Sequence, residues 1–228
     1  MKEAISETSV DRLTEIHARI AAAAKLPRRN ADDIHLIAVS KTRTVEEIEP
    51  LILAGHRLFG ENRVQEAASK WPDLQAKYDD IRLHLIGQLQ SNKADEAVAL
   101  FDCIHSVDRP SLVTALGKAM HAQDKYVPCF LQVNIGAEEQ KGGCDVAQIA
   151  DLLKAARDAN VPIIGLMCLP PAGIEPAPFF ALLAELAARH GLADVSMGMS
   201  DDFETAIMLG ADYIRVGTAL FGERAVAI

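Results

Sequence analysis

A single (β/α)8 barrel of the α/β class, with one extra helix at its N-terminus, is the fold this sequence predicts, and three observations predict it. Eight apolar runs of strand length alternate with segments of helical period from residue 35 onward. The runs are largely apolar throughout, as parallel strands covered on both faces must be. No Gly-x-Gly-x-x-Gly follows the first run, which counts against a dinucleotide-binding sheet. An open doubly wound sheet is the structural alternative.

The elements follow in order. The polar amphipathic segment 7–24 forms the additional helix, and Lys25-Leu26-Pro27-Arg28-Arg29 is its C-terminus and a turn. The strands are His35-Ser40, Arg57-Phe59, Arg82-Ile86, Cys103-Ser106, Val127-Asn134, Ile163-Met167, Asp194-Met197 and Tyr213-Val216. Thr44-Val45-Glu46-Glu47 opens a helix as a capping box. Asp145-Val146-Ala147-Gln148 opens another, which carries Val146, Ile149, Leu152, Leu153 and Ala156 inward, and Ser200-Asp201-Asp202-Phe203-Glu204 starts a third. No linker or low-complexity stretch interrupts the pattern, and the tail after Gly222 is too short for a second domain. Residues 1–228 are expected to form one domain.

At 228 residues, 50% hydrophobic and 24% charged, the chain has the composition of a soluble globular protein with a substantial core. Its net charge of -9, with scattered basic residues, argues against a nucleic-acid footprint and against an acidic membrane surface. Neither a secretory h-region nor an 18-residue apolar stretch is present in the sequence, so a cytoplasmic protein is expected. Cys103, Cys129, Cys144 and Cys168 include no Cys-x-x-Cys pair and sit mostly in apolar surroundings, so neither disulfides nor zinc is expected.

Chemistry enters where strands end. Lys41 follows the apolar run Ile34-His35-Leu36-Ile37-Ala38-Val39-Ser40, so an amine is delivered to the edge of a core. A desolvated ammonium loses its proton more readily, and the freed lone pair attacks aldehydes. The plain alternative is the solvated end of a buried strand. In a barrel the loops after strands seven and eight commonly hold phosphate. Here they read Ser196-Met197-Gly198-Met199-Ser200-Asp201-Asp202 and Arg215-Val216-Gly217-Thr218-Ala219-Leu220-Phe221-Gly222. Gly198 permits close backbone approach, Ser200 can cap a helix or donate a hydroxyl to an anion, and Gly217 and Thr218 can offer N–H groups to it. Taken singly these are ordinary turn and cap residues; their joint placement opposite a strand-one lysine makes a phosphate cradle. His84 is read as a core or supporting histidine rather than an acid/base, and Asp201 with Asp202 as acidic groups complementing a helix dipole.

Several segments together carry a family resemblance. Ala38-Val39-Ser40-Lys41, Phe59-Gly60-Glu61-Asn62-Arg63-Val64-Gln65-Glu66, His84-Leu85-Ile86-Gly87-Gln88-Leu89-Gln90-Ser91-Asn92-Lys93, Gln132-Val133-Asn134-Ile135, Gly165-Leu166-Met167 and Ser196–Asp202 resemble the pyridoxal phosphate homeostasis proteins over nearly the whole chain. That family is similar to the barrel domain of alanine racemase without its second domain. It binds pyridoxal 5′-phosphate (PLP) through a lysine Schiff base. The resemblance implies a covalent aldimine on Lys41, phosphate contacts at Ser200, Gly217 and Thr218, a pyridine-nitrogen contact at Arg215, and ring contacts at Asn62 and Met167. Departures from the commoner pattern are Arg63 for tyrosine, Leu83 for tryptophan, and Gly136 and Cys168 for serine and alanine. None is among the implied direct ligands.

An arginine beside the pyridine nitrogen cannot take its proton, so the ring is a weak electron sink. The racemase's second base comes from a domain this sequence does not contain. The leading reading is therefore a non-catalytic, monomeric carrier or regulator in vitamin B6 homeostasis, with no catalytic and no metal-ligating residues, whose partners are PLP and apo forms of PLP-dependent enzymes. The competing class is an enzyme: a slow PLP-dependent amino-acid racemase, or a Schiff-base aldolase on the same barrel.

Overall fold

The computed structural model describes residues 8–223. Its strands are β1 (His35–Val39), β2 (Leu58–Glu61), β3 (Arg82–Leu85), β4 (Cys103–Val107), β5 (Cys129–Val133), β6 (Ile163–Cys168), β7 (Asp194–Ser196) and β8 (Tyr213–Val216). They close into one parallel barrel in sequence order. Closure is made by β1 against β8 over four residue pairs, from His35 with Tyr213 to Ala38 with Val216. An open sheet is thereby ruled out.

The helices are α1 (Ser9–Ala24), α2 (Val45–Leu53), α3 (Val64–Lys77), α4 (Ala94–Leu100), α5 (Pro110–Gln123), α6 (Ile149–Asp158), α7 (Ala177–Arg189), α8 (Phe203–Met208) and α9 (Thr218–Phe221). Each strand is followed by one of them, but the last, α9, is a single turn too short to cover β8. The additional helix supplies the missing cover: α1 packs against α8, α9 and α2, and so occupies the eighth position of the outer ring. It starts with a capping box in which Thr8 and Asp11 satisfy each other's backbone groups, and it buries Leu13, Ile16 and Ile20. Residue 7, the expected first residue, lies outside the described residues.

Strand alternation divides the wall into two faces. Outward residues such as Leu36, Ala38, Phe59, Leu83, Ile104, Leu131, Leu166 and Ile214 join the helices in one continuous core that contains Trp71, Phe101, Phe180 and Phe203. Each such fully buried side chain contributes about 1.5–3 kcal/mol relative to exposure. Inside the barrel, Phe130, Met167 and Cys103 form a separate cluster with Tyr213 against it. Buried His84, His105, Gln132, Ser196 and Arg215 add polar groups to that interior.

Three expectations shift by local chemistry. β2 runs on to Glu61 because that carboxylate is fully buried and paired, which an apolar pattern does not register. The Asp145–Gln148 capping box is present but opens a 3-10 turn before α6, and Val146 is left exposed rather than inward. Asp202, not Ser200, is the residue at the cap position of α8. The four cysteines are free and buried. No helix among the described residues is long and apolar enough to cross a membrane.

At Gly165 on β6 the neighbouring strand leaves no room for a side chain: a Cβ would lie 2.1 Å from the Asp194 carbonyl oxygen and 2.6 Å from Phe130. The oxygen belongs to backbone and cannot swing aside. Gly165→Ala should therefore cost about 3 kcal/mol or more by overpacking, read as a lowered urea midpoint at unchanged slope.

Candidate functional site

Period-two alternation aims the groups at the mouth of the barrel. Because Leu36 and Ala38 face the helices, Ile37 and Val39 face inward and Lys41 continues on their side, while Ser40 faces out. Ser40 Oγ donates to Glu61 Oε1 at 2.7 Å. The same oxygen accepts from Trp71 Nε1 at 3.0 Å and pairs with Lys70 Nζ at 2.8 Å. Lys70 also donates to the carbonyls of Ser40 at 2.9 Å and Arg43 at 3.2 Å, and Glu66 accepts from the Thr42 N–H. Thr42 is held at φ 62°, a left-handed conformation uncommon for a β-branched residue. The chain on both sides of Lys41 is thus clamped from α3.

Lys41 itself is half-buried, at the edge of the core where the sequence placed it. Its amine lines a cavity of about 330 Å³ at the C-terminal ends of the strands. Six of the seven expected site residues line that same cavity: Lys41, Asn62, Ser200, Arg215, Gly217 and Thr218. The seventh, Met167, points into the barrel interior, where it is 1% exposed and packs on Cys103 and Phe130; it does not line the cavity. Sequence reasoning missed Val39, Ile86, Leu169, Arg43 and Met199 as lining residues. For the first three, their position at or just beyond the end of an inward-facing strand register was the available signal; Arg43 and Met199 carry none.

At the far side, Ser200 Oγ accepts from the N–H groups of Gly217 and Ala219, both at 3.3 Å. These are first-turn donors without partners inside α9, so the hydroxyl and the start of the turn form one polar concavity. Gly198 makes this approach feasible: at φ 91°, a Cβ there would lie 2.6 Å from the Ala206 Cβ. Asp202 Oδ1 accepts from the Met199 N–H at 2.6 Å and closes the loop. Burial pushes that carboxyl up from its ordinary value, while the bond from Met199 and the Arg215 charge pull it back.

Arg215 is 4% exposed. It donates to Ser196 Oγ at 2.6 Å and to the Cys168 carbonyl at 2.8 Å, and no ion pair to it occurs among the described residues. Asp212, the acidic residue three positions before it, is taken by Arg29 at 2.5 Å. Desolvation pulls the guanidinium below its usual pKa, offset in part by Asp202. His84 is a supporting group, as expected: its Nδ1 lies 3.0 Å from His105 Nε2. Burial depresses His84 to about 3 and holds His105 well below the ordinary imidazole value. Together with Cys103 these rings place three donor atoms within 4.8 Å of one another. A cation there would have to displace a thiol proton that burial holds well above its usual range, and the nearby Arg215 guanidinium would repel it.

The cavity is thus a basic mouth on an acidic protein, with the Lys41 amine, the guanidinium residues Arg43 and Arg215 and a turn of N–H groups converging. Comparison with known proteins places it. The family model described as alanine racemase, N-terminal domain, matches residues 13–225. A pyridoxal phosphate homeostasis protein of Pseudomonas aeruginosa is 39% identical over 225 residues, covering 95% of this chain and 96% of that protein. The chain belongs to the pyridoxal phosphate homeostasis protein family. The bearer of that name in Aquifex aeolicus is 36% identical over 94% of this chain and 97% of its own length. Among solved structures, PipY of Synechococcus elongatus is 39% identical. It superposes with a TM-score of 0.79 in its form without PLP, covering 91% of this chain and 100% of that one. Its form with PLP bound gives 0.77 over 89% of this chain and 100% of that one. Alanine racemase from Bacillus anthracis, at 14% identity and a TM-score of 0.66, shares the fold.

The clamp behind Lys41 has a measurable energetic signature. Lys70→Met leaves the Glu61 carboxylate buried without its cation, and breaking such a pair costs about 3–5 kcal/mol. Adding Glu61→Gln removes the stranded charge, so the double variant should be more stable to urea than Lys70→Met alone.

Proposed function

We propose that this protein binds PLP and acts as a non-catalytic carrier or regulator of the intracellular PLP supply. The observation that carries the reading is the convergence, in one cavity, of the Lys41 amine with Arg215, Ser200, Gly217 and Thr218. The ligand supplies an aldehyde carbon, which a deprotonated amine attacks with loss of one water. Lys41 is the nucleophile at the end of β1, and no internal hydrogen bond or ion pair occupies its amine among the described residues. Ser200 and the N–H groups beginning at Gly217 and Thr218 face the phosphate, each charge-assisted bond being worth about 1.5–3 kcal/mol. Arg215 donates to the pyridine nitrogen. Asn62 lies at the ring's edge, and Met167 supports the site from the interior beneath it.

The same contacts argue for holding rather than turnover. A guanidinium keeps the pyridine nitrogen unprotonated and weakens the electron sink on which PLP chemistry relies. Two-base racemisation also needs a second base opposite Lys41. No tyrosine, histidine or cysteine lines the cavity among the described residues, and its one carboxylate, Asp201, stands exposed. Bound PLP is released to apo-enzymes, with the protein acting as a cytoplasmic monomer.

Titration with PLP should give a visible absorption band that Lys41→Ala loses. Borohydride reduction and peptide mapping should place the label on Lys41, and pyridoxal, lacking the phosphate, should bind far more weakly. A label confined to another lysine, or equal affinity for the two vitamers, would sink the assignment.

The carrier reading is checked separately by chiral chromatography of alanine and serine incubated with the PLP-loaded protein. Absent or very slow conversion is expected. Turnover of about 1–10³ per second, the range of ordinary enzymes, would favour a racemase instead.

A further inference from the structure

Arg215 carries a full charge in the barrel wall with no carboxylate in ion-pair contact among the described residues, so something else must fix its geometry. The contacts form an unbroken chain. Arg215 Nη1 donates to Ser196 Oγ at 2.6 Å, Ser196 Oγ lies 3.0 Å from His105 Nδ1, and His105 Nε2 lies 3.0 Å from His84 Nδ1. All four side chains are buried, and they come from β8, β7, β4 and β3, so the chain spans the barrel interior. The His105 ring is further held by stacking on Phe130, with centroids 4.3 Å apart and planes at 19°.

The guanidinium dictates the direction of this chain. It has only donors, so a lone pair of Ser196 Oγ must face it and the hydroxyl proton must point elsewhere. Among the described residues the acceptor within its reach is His105 Nδ1, and satisfying the buried hydroxyl proton requires that nitrogen to be unprotonated. A neutral imidazole carries its proton on the other nitrogen, so His105 Nε2–H donates to His84 Nδ1, and His84 keeps its own proton on Nε2. Burial keeps both rings neutral, so no second positive charge pushes the guanidinium out of place.

We infer that Ser196 and His105 are positioning residues for Arg215: with His84 they form a directional hydrogen-bond chain, in a single tautomeric arrangement, that holds the guanidinium against the cavity. This rests on the proposal that Arg215 meets the ligand's ring, but the chain can be tested without ligand. Among the described residues, removing the Ser196 hydroxyl leaves Arg215 with the Cys168 carbonyl as its one remaining hydrogen-bond partner, and replacing His105 with phenylalanine frees the hydroxyl to rotate towards the charge. His105→Asn, which returns a polar group near the Nδ1 position, should restore part of the effect.

In ligand-free protein, ¹⁵N NMR should show both rings as Nε2–H tautomers and a slowly exchanging Arg215 side-chain N–H signal. That signal should be lost or broadened in Ser196→Ala and His105→Phe and partly recovered in His105→Asn. With PLP, the Ser196→Ala and His105→Phe variants should release ligand several-fold faster and show a shifted visible band, while borohydride still labels Lys41. An Nδ1–H tautomer for His105 in the parent overturns the inference. So do folded variants whose Arg215 signal, release rate and spectrum match the parent. A parent that takes up no PLP sinks the functional proposal instead, and the ligand-free tautomer and exchange measurements then decide the chain alone.

Discussion

The Glu61 carboxylate is the point on which the site hangs. It is wholly inaccessible to solvent, and one of its oxygens gathers Ser40, Lys70 and Trp71 while the other has no hydrogen-bond partner among the described residues. A buried carboxylate is tolerable only when its charge is met, and here Lys70 meets it at the one oxygen that is also hydrogen-bonded. Meeting that requirement draws α3 to the end of β1. Lys70, brought in as the counter-charge, spends its other donors on the carbonyls of Ser40 and Arg43, and Glu66 takes the Thr42 amide. The backbone around Lys41 is therefore fixed by a pair that never touches the cavity.

The opposite wall is organised by the reverse problem. Arg215 is a buried cation for which the barrel supplies dipoles rather than an anion: a serine hydroxyl, a carbonyl and, behind them, two neutral histidines. Such an arrangement stabilises the guanidinium by orientation and leaves its charge uncancelled. The net charge of -9 would by itself repel an anionic ligand at long range. Within the cavity the local balance differs, because Lys41, Arg43 and Arg215 line it together and screening over a few ångströms is weak. The local positive balance of the cavity is thus set by these three side chains against Asp201, not by the chain as a whole.

Much of this was legible in the sequence. The eight strands follow from apolar runs and their spacing, and the capping boxes at Thr44 and Asp145 are present as the sequence implied. Lys41 and the two loops after β7 and β8 were recognisable from residue type and order, and six of the seven expected site residues do share one cavity. Other features left no trace in the pattern. Glu61 resembles any polar residue at a strand end, and its burial depends on Lys70 and Trp71, nine and ten residues further along on α3. His105 looks like an interruption of an apolar strand, and its partners lie 21 and 91 residues away. Met167 is placed by strand parity beneath the cavity rather than on its lining, a distinction that a motif alone does not make.

The division between the two levels has a physical basis. Periodicity, capping and loop chemistry are local, so the sequence by itself determined the order of elements, the α/β class and the strand ends from which reactive groups emerge. Burial and charge pairing are sums over elements far apart in the chain. Only the tertiary structure decided that α1 fills the gap beside a one-turn α9, that Glu61 and Lys70 meet out of solvent, and that Arg215 is held by a hydroxyl and a carbonyl instead of a carboxylate. Each depends on which atoms exclude water from one another, and that is settled only when the barrel closes.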